Sequence, residues 1–518
     1  MRQKYHITMS ESSSNNKRIA KNTLYLYFRT FFVMAVSIFT SRVVLETLGV
    51  EDFGIYNVVG GFVAMFSLLS GTLTAATQRF ITYELGKEHP ESNKIFSVSL
   101  GIHLVLAVII LLVLESVGLW FLNYEMNISP DRLFAANWVF QCSVLTFCIN
   151  LISIPYNASI IAHERMNVFA IISIFEVSAK LAVVYLLMAF NGDKLIVYAI
   201  LLLVVAILLR LIYGAYCKRN FKECSFRLVK DKSAYIQMLS FSGWNFIGST
   251  AGVLNTQGIN LLINLFFGVT LNAARGVAEQ INTAVNHFVM NFMTAINPQI
   301  TKSFASGNFE YLNTLIVKGT KYSFFLFWFF CLPLMLEADF VLNLWLVEVP
   351  PYAPILLRYA LVYTSCQLLS QTLYTSMLAT GNIKRYQIVV GSLSILAFPL
   401  AYIFFKCDLP VEYGYVATIT MSIICLGVRL VMLRDMIPQF SIFTYSKDGL
   451  LRILMIVLAS GSILMLSTKY IEIYSSSLVK FLITCFMSFL VSLGCIYTLG
   501  ITTSERTKIQ DFIIKKIR

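Results

Sequence analysis

Residues 195–213 read LIVYAILLLVVAILLRLIY, and Arg210 is their one charged residue. An α-helix needs about 20 mostly apolar residues to cross the hydrocarbon core of a membrane, so this stretch is long enough to span it. Comparable runs recur from Leu24 onward and predict about 14 spans joined by short loops. The sequence therefore predicts an all-α, polytopic membrane protein in which no loop is long enough to form a separate soluble domain.

The composition supports the same fold class. The chain has 518 residues, of which 57% are hydrophobic and 13% are charged, and its mean hydropathy is +0.73. Soluble domains are about 45–50% apolar and about 25% charged. A soluble fold could not hide this much apolar surface from water, whereas a chain solvated by lipid has no need to hide it.

The basic residues indicate the orientation. The net charge is +13, which in a soluble protein would suggest a nucleic acid partner. If the N-terminus is cytoplasmic, most of the 40 Lys and Arg residues fall at cytoplasmic span ends and loops, and the opposite loops lean acidic. We therefore expect both termini in the cytoplasm and no nucleic acid partner. The first apolar run contains Arg29, so we interpret it as a membrane span and not as a cleavable signal.

A weak internal repeat divides the chain. The stretches that begin at Leu48 and Phe267 both open with a hydrophobic residue near Gly-Val and end near a Thr-Ala pair. They are separated by about six spans, an even number, so the two halves form a parallel repeat. The predicted division is a cytoplasmic tail over 1–23, a first six-helix bundle over 24–217, a basic cytoplasmic linker over 218–233, a second six-helix bundle over 234–434, two additional spans over 435–500 and a cytoplasmic tail over 501–518.

Polar side chains recur at helical spacing in three spans. Span two carries a small-polar stripe from Asn57 to Gln78, span seven has one from Asn245 to Asn260, and Asn282 continues a polar face of span eight. Tight helix packing explains the glycines and alanine of such stripes. The amides fit the wall of a polar cleft between the two halves better.

Several charges lie at or near membrane depth, where they are tolerated only when they face protein or water. Glu176 and Lys180 are spaced i,i+4 and can neutralise each other on their own helix, which is one alternative to a role in a cleft. For Arg29 and Arg275 we favour the cleft. The candidate residues from this set are Arg29 and Arg42 in span one, Arg79 at the end of span two, Glu176 and Lys180 in span five, and Arg275 and Glu279 in span eight.

Motifs for enzyme chemistry are absent from the sequence. It contains no Walker A motif, no GxSxG, no HExxH and no Cys/His metal cluster, and its outer loops are short. We therefore predict that the chain is not an enzyme, with no cofactor and no metal.

The segment SRVVLETLGVEDFGIYNVVGG, from Ser41 to Gly61, is followed by TLTAATQRFITYELGK. Together they resemble the O-antigen type polysaccharide flippases, whose superfamily also holds the lipid II flippase and the multidrug and toxin extrusion transporters. The stretch LGxxxFGxYN is the most specific part.

The resemblance implies a V-shaped central cavity and alternating access. It also implies translocation of an undecaprenyl-pyrophosphate-linked oligosaccharide to the outer leaflet of a bacterial inner membrane, for surface polysaccharide synthesis. Arginines in spans one, two and eight of the lipid II flippases meet the pyrophosphate. By span, the matching residues here are Arg29 and Arg42, Arg79, and Arg275.

The expected partners are the lipid-linked oligosaccharide and membrane lipids, with the polysaccharide polymerase and the chain-length regulator as further candidates. We expect a functional monomer. The substrate-binding candidates are completed by Asn57, Gln78, Asn245, Asn260 and Asn282, and the candidates for ion coupling are Glu279, Glu176 and Lys180.

Three alternatives remain open from the residues. A cation-coupled drug exporter of the same superfamily uses buried carboxylates, for which Glu176 and Glu279 are candidates. A glycan polymerase or ligase would need long outer loops. A scaffold that transports nothing would leave the arginines at membrane depth unexplained.

Overall fold

The computed structural model describes residues 2–64, 66–124, 126, 128–346, 349–471, 477–503, 505–507 and 510. Over these residues the chain is helical and contains no β-strand, as predicted. Three short π-helical segments, Leu114–Gly118, Tyr445–Leu451 and Ile496–Gly500, adjoin α-helices in the described chain. The helices are α1 Arg2–Ala64, α2 Ser67–Leu85, α3 Ser92–Val113, α4 Leu119–Tyr124, α5 Leu133–Ala162, α6 Met166–Met188, α7 Lys194–Asn220, α8 Lys232–Ala305, α9 Phe309–Leu336, α10 Ala338–Trp345, α11 Ala353–Thr380, α12 Lys384–Ile395, α13 Ala397–Lys406, α14 Tyr413–Met436, α15 Ile442–Thr444, α16 Arg452–Ile471 and α17 Ser477–Cys495.

Nine helical stretches in the described part of the chain are long and apolar enough to cross a membrane. The quoted run 195–213 lies inside α7, one of them. The multi-pass prediction is confirmed, and the count of about 14 spans stays a prediction. The nine stretches are Ser92–Tyr124, Leu133–Ala162, Met166–Met188, Lys194–Asn220, Phe309–Leu336, Lys384–Lys406, Tyr413–Met436, Ile442–Ser467 and Leu478–Gly500.

Polar stripes explain why some predicted spans are outside this set. Helices α2, α8 and α11 carry Ser, Thr, Asn and Gln at intervals, which lowers their hydropathy. Predicted spans seven and eight also form one continuous helix, α8, although a loop was expected between them. The range α1, in contrast, consists of two helices that meet at a kink at Gly49, where φ is +80°, and the loop expected after span one falls at this kink. Only glycine adopts such a positive φ without strain.

The chain divides into two compact units, Met1–Phe246 and Ile247–Arg518. This division lies inside α8, whereas the predicted one is the linker 218–233. The start of α8 packs on the first unit, where the ring of Phe241 lies 5.5 Å from that of Phe80 on α2. Aromatic packing of this kind explains why the unit extends beyond the linker. The six plus six plus two division stays a prediction.

In the first unit, α5 packs on α7 and α1 packs on α6, around a core that includes Phe96, Ile160 and Val184. The connection between α7 and α8 is fastened to α3. Asn93 Nδ2 donates to the carbonyl oxygens of Glu223 and Ser225 at 2.9 and 2.7 Å. The basic linker is therefore held by hydrogen bonds to an earlier helix.

In the second unit, α11 is the central helix and packs on both α9 and α14. Hydroxyl pairs link these helices where they approach closely, as where Thr320 and Thr372 lie 2.5 Å apart, oxygen to oxygen.

In both units, large apolar side chains face outward along many helices. Examples are Leu112 and Leu458, which are 64% and 60% exposed. Lipid solvates such side chains, so their exposure is expected in a membrane protein.

Candidate functional site

The second unit gathers the polar face of predicted span eight into one hydrogen-bonded network. Arg275, Glu279 and Asn282 share a face of α8 because helical neighbours recur at intervals of three and four residues. The Glu279 carboxylate accepts hydrogen bonds from Tyr415 Oη at 2.7 Å and from Asn282 Nδ2 at 3.1 Å. Thr364 Oγ1 donates to Asn282 Oδ1 at 2.8 Å. The network therefore joins α8 to α11 and α14.

Arg275 is the cation of this network. Its side chain is buried, with the residue only 4% exposed, and its guanidinium carbon lies 5.2 Å from the centre of the Tyr415 ring. The Nε and Nη1 atoms are buried and have no hydrogen-bond partner among the described residues. A buried charge with unused donors is costly unless a partner completes it, so Arg275 is suited to receive an anionic ligand.

A second polar site lies in the first unit, between α1 and α6. Arg29 from α1 meets Glu176 and Lys180 from α6 at a cavity of about 350 Å³. Lys180 Nζ donates to Glu176 Oε1 at 2.6 Å, so the i,i+4 pair that the sequence offered as one alternative is present. Both of its members also line the cavity with Arg29, which leaves two cations and one anion at this site. The remaining polar lining consists of Ser37, Thr40 and Ser173.

Aromatic rings lie against Arg29 and Arg79, two of the predicted arginines of the first unit. The Arg29 guanidinium carbon lies 4.6 Å from the centre of the Phe169 ring. Arg79 is 8% exposed and stacks at 4.6 Å on the rings of both Phe80 and Tyr83. Cation–π contacts stabilise such partly desolvated guanidinium groups. The structure thus places Arg79 in an aromatic cluster, apart from the cavity that Arg29 lines.

The other predicted residues are dispersed. Asn245 is 2% exposed and belongs to the first unit, whereas Asn260 belongs to the second and donates to Gln257 Oε1 at 3.2 Å. Gln78 is half-buried on α2. The side chains of Arg42 and Asn57 lie outside the described residues. The predicted V-shaped cleft between the two halves stays a prediction.

Sequence reasoning missed Tyr415 and Thr364, which complete the Glu279 network. A signal for Tyr415 exists on α14, because Tyr415, Thr418, Ser422 and Arg429 recur on one face. From the sequence alone, Arg429 is a basic residue near a span end, where positive charge is common. No group of three or more His, Cys, Asp or Glu side chains suited to a metal ion occurs in the described part of the chain.

The sequence is similar to one protein family and to one bacterial membrane protein. The family model described as polysaccharide biosynthesis protein matches residues 19–304. The uncharacterized membrane protein EpsK of Bacillus subtilis (strain 168) is 21% identical over 297 residues. That match covers 56% of this chain and 58% of EpsK, so this chain spans less than two thirds of its relative's length.

Solved structures share the fold. A mutant MATE transporter superposes with a TM-score of 0.70 at 15% identity, covering 81% of this chain and 97% of that one. An outward-facing multidrug resistance MATE transporter of the MOP superfamily gives 0.68 at 14% identity, with 82% and 97% covered. A MOP superfamily transporter from Pyrococcus furiosus, whose binding pocket is described as having reverse polarity, gives 0.66 at 14% identity, with 80% and 95% covered.

Proposed function

Because this chain belongs to the polysaccharide biosynthesis protein family, we propose that it flips an undecaprenyl-pyrophosphate-linked oligosaccharide from the cytoplasmic to the outer leaflet of a bacterial inner membrane. The chain is a multi-pass membrane transporter with the fold of MATE transporters, and not an enzyme. The proposal adds the substrate and its direction. The product of such a step serves the synthesis of a surface polysaccharide such as O-antigen, capsule or exopolysaccharide.

The buried guanidinium of Arg275 is the observation that carries the proposal. Its Nε and Nη1 donors have no partner in the described part of the chain. A guanidinium binds phosphate oxygens bidentately, and a pyrophosphate carries about two negative charges at neutral pH. We assign Arg275 to the pyrophosphate and the network of Asn282, Thr364 and Tyr415 to hydroxyl groups of the glycan.

The direction of transport agrees with the membrane potential. Moving one negative charge outward across an inside-negative membrane is favourable by about 2.3 kcal/mol per 100 mV. A substrate with two charges therefore gains free energy on the way out. We propose that this potential, or a coupled cation, drives the cycle.

Export of cationic drugs is a second candidate function, and Glu279 favours it. The carboxylate accepts two hydrogen bonds from uncharged groups, Tyr415 Oη and Asn282 Nδ2. Such a carboxylate can bind a cation. If drugs are the substrate, the wild type raises drug resistance in cells and Glu279→Gln abolishes that gain. If the lipid-linked glycan is the substrate, the wild type itself leaves resistance at the level of cells without the protein.

The direct test reconstitutes the full chain in proteoliposomes with a labelled polyprenyl-pyrophosphate oligosaccharide. We expect translocation by the wild type and a loss of about tenfold or more in Arg275→Gln. The matched control is Arg385→Gln, because the side chain of Arg385 is 76% exposed. Collapsing the potential with an ionophore is expected to slow the wild type. Absence of translocation by the wild type for several glycans would overturn the proposal.

A further inference from the structure

A second polar cavity, of about 250 Å³, lies within the second unit among α8, α11, α12 and α14. Its wall is formed mainly by hydroxyl and amide side chains, such as Ser249, Gln367 and Gln371. A volume of this size has room for several water molecules or a small polar group.

Arg429 is the one charged residue among those that line this cavity in the described chain. Its Nη1 donates to Ser370 Oγ at 2.7 Å and its Nε donates to Tyr386 Oη at 3.2 Å. These contacts tie the guanidinium to α11 and α12 and use two of its five N–H donors. Both partners are uncharged hydroxyl groups, so they orient the cation and do not neutralise it.

No carboxylate of the described chain forms an ion pair with Arg429, and none lines the cavity. Glu279 is engaged elsewhere, with Tyr415 and Asn282. A partly buried cation without a counter-charge is stabilised by any anion that reaches it. The planar guanidinium matches two oxygens of one acid group at once, which selects a carboxylate or a phosphate over a simple halide.

We propose that this cavity is an oxyanion site, in which Arg429 pairs with a carboxylate or phosphate group and the surrounding amides and hydroxyls complete its hydrogen bonds. Ser370 and Tyr386 act as positioning residues that present the guanidinium. The site is distinct from Arg275 and goes beyond the proposed function, since it concerns an acid group whatever lipid the protein moves. Two sources supply that chemistry, an acidic sugar such as a uronate or free inorganic phosphate.

Binding to the purified full chain in detergent at low salt tests the proposal without any transport step. The probes are glucuronate and inorganic phosphate, with glucose as the neutral control, and the readouts are calorimetric affinity and the shift of the melting temperature. We expect at least one oxyanion to bind the wild type and to raise its melting temperature, and glucose to do neither. Binding of glucuronate alone assigns the site to an acidic sugar, whereas binding of phosphate assigns it to a phosphate group.

Three variants separate the site from general electrostatics. Arg429→Gln is expected to lose oxyanion binding, and Arg434→Gln, which removes an exposed charge from the same helix, is expected to keep it. Arg429→Lys keeps the positive charge but lacks the planar guanidinium, so its affinity for the oxyanion is expected to fall about tenfold. This variant serves as the test if Arg429→Gln does not fold. Equal binding by Arg429→Gln, equal binding of glucose, or no oxyanion binding by the wild type overturns the proposal. Because transport is not measured, failure of the flippase assay leaves this result intact.

Discussion

Lys321 and Glu505 form an ion pair in the interior of the second unit, with Lys321 Nζ 3.0 Å from Glu505 Oε2. Their side chains are only 1% and 8% exposed. Tyr322 Oη donates to the other carboxylate oxygen at 3.1 Å, and the backbone N–H of Thr502 donates at 2.8 Å. A buried ion pair thus fastens the segment after α17 to α9, and further hydrogen bonds satisfy both oxygens of its carboxylate.

Breaking this pair from one side is expected to destabilise the protein. Glu505→Gln leaves Lys321 as a buried charge without its partner, which costs about 3 kcal/mol in comparable pairs. We expect a clear fall of the melting temperature in detergent, while Lys447→Met, at an exposed lysine, leaves it unchanged. The double variant Lys321→Met with Glu505→Leu is expected to recover most of the loss. Additive losses in the double variant would show that the two residues are not coupled.

The same carboxylate predicts a dependence of stability on pH. Burial would raise the pKa of Glu505, but the N–H of Thr502 and the charges of Lys321 and Lys318 outweigh it and lower that pKa from 4.5 to about 2. Because the folded pKa lies below the unfolded one, the stabilisation is complete above pH 4.5. It declines as the pH falls from 4.5 to about 2, by about 3 kcal/mol in all. Melting temperatures between pH 7 and pH 3 are expected to fall more for the wild type than for Glu505→Gln; parallel curves would contradict this assignment.

Arg132 predicts a separate stability effect in the first unit. It binds Asp52 through Nε at 2.8 Å and Nη2 at 2.5 Å, and it binds Asp193 through Nη1 at 2.9 Å. Asp193 also caps the start of α7 by accepting from Leu195 and Ile196. Arg132→Ala is expected to lower the free energy of unfolding by about 2 kcal/mol. Arg132→Lys is expected to lose a large part of the same stabilisation, because lysine lacks the planar guanidinium group. Equal melting temperatures for wild type and Arg132→Ala would show that the ion pairs of Arg132 with Asp52 and Asp193 do not stabilise the fold.

Tyr415→Phe tests the Glu279 network without changing any charge. The variant removes the hydrogen bond to Glu279 at 2.7 Å and keeps the ring that lies against Arg275. A hydrogen bond to a charged group contributes about 1.5–3 kcal/mol, so we expect translocation to slow by about tenfold or more. Tyr402→Phe, at a residue 40% exposed, is the matched control and is expected to transport normally. Normal transport by Tyr415→Phe would remove the network from the mechanism.

The sequence predicts the fold class well because lipid solvation imposes one simple rule. A run such as 195–213 must be helical, since a helix satisfies every backbone hydrogen bond within the hydrocarbon core. The spacing of charged and polar residues also predicts which of them lie together on one helix. Glu176 and Lys180 form the pair that their i,i+4 spacing allows, and Arg275, Glu279 and Asn282 lie together as their i,i+3 and i,i+4 intervals require.

The partners of those residues could not be predicted, because they come from distant parts of the chain. Thr364 reaches Asn282 across 82 positions, and Tyr415 reaches Glu279 across 136. The interior positions of Arg429 and Lys321 could not be predicted for the same reason. A basic residue near the end of an apolar run is ordinarily solvated at the membrane surface, and only the packing of other helices shows that these two face the interior.

The hydrogen bonds that hold the linker have a consequence for the order of biosynthesis. The residues that Glu223, Ser225 and Arg227 bind, Asn93 and Ser97, are all made before the linker itself. Domains generally fold as units during translation, with the N-terminal one first. The linker can therefore bind the first unit while the ribosome is still synthesising the second unit. The second unit then inserts into the membrane after a linker that is already held in place.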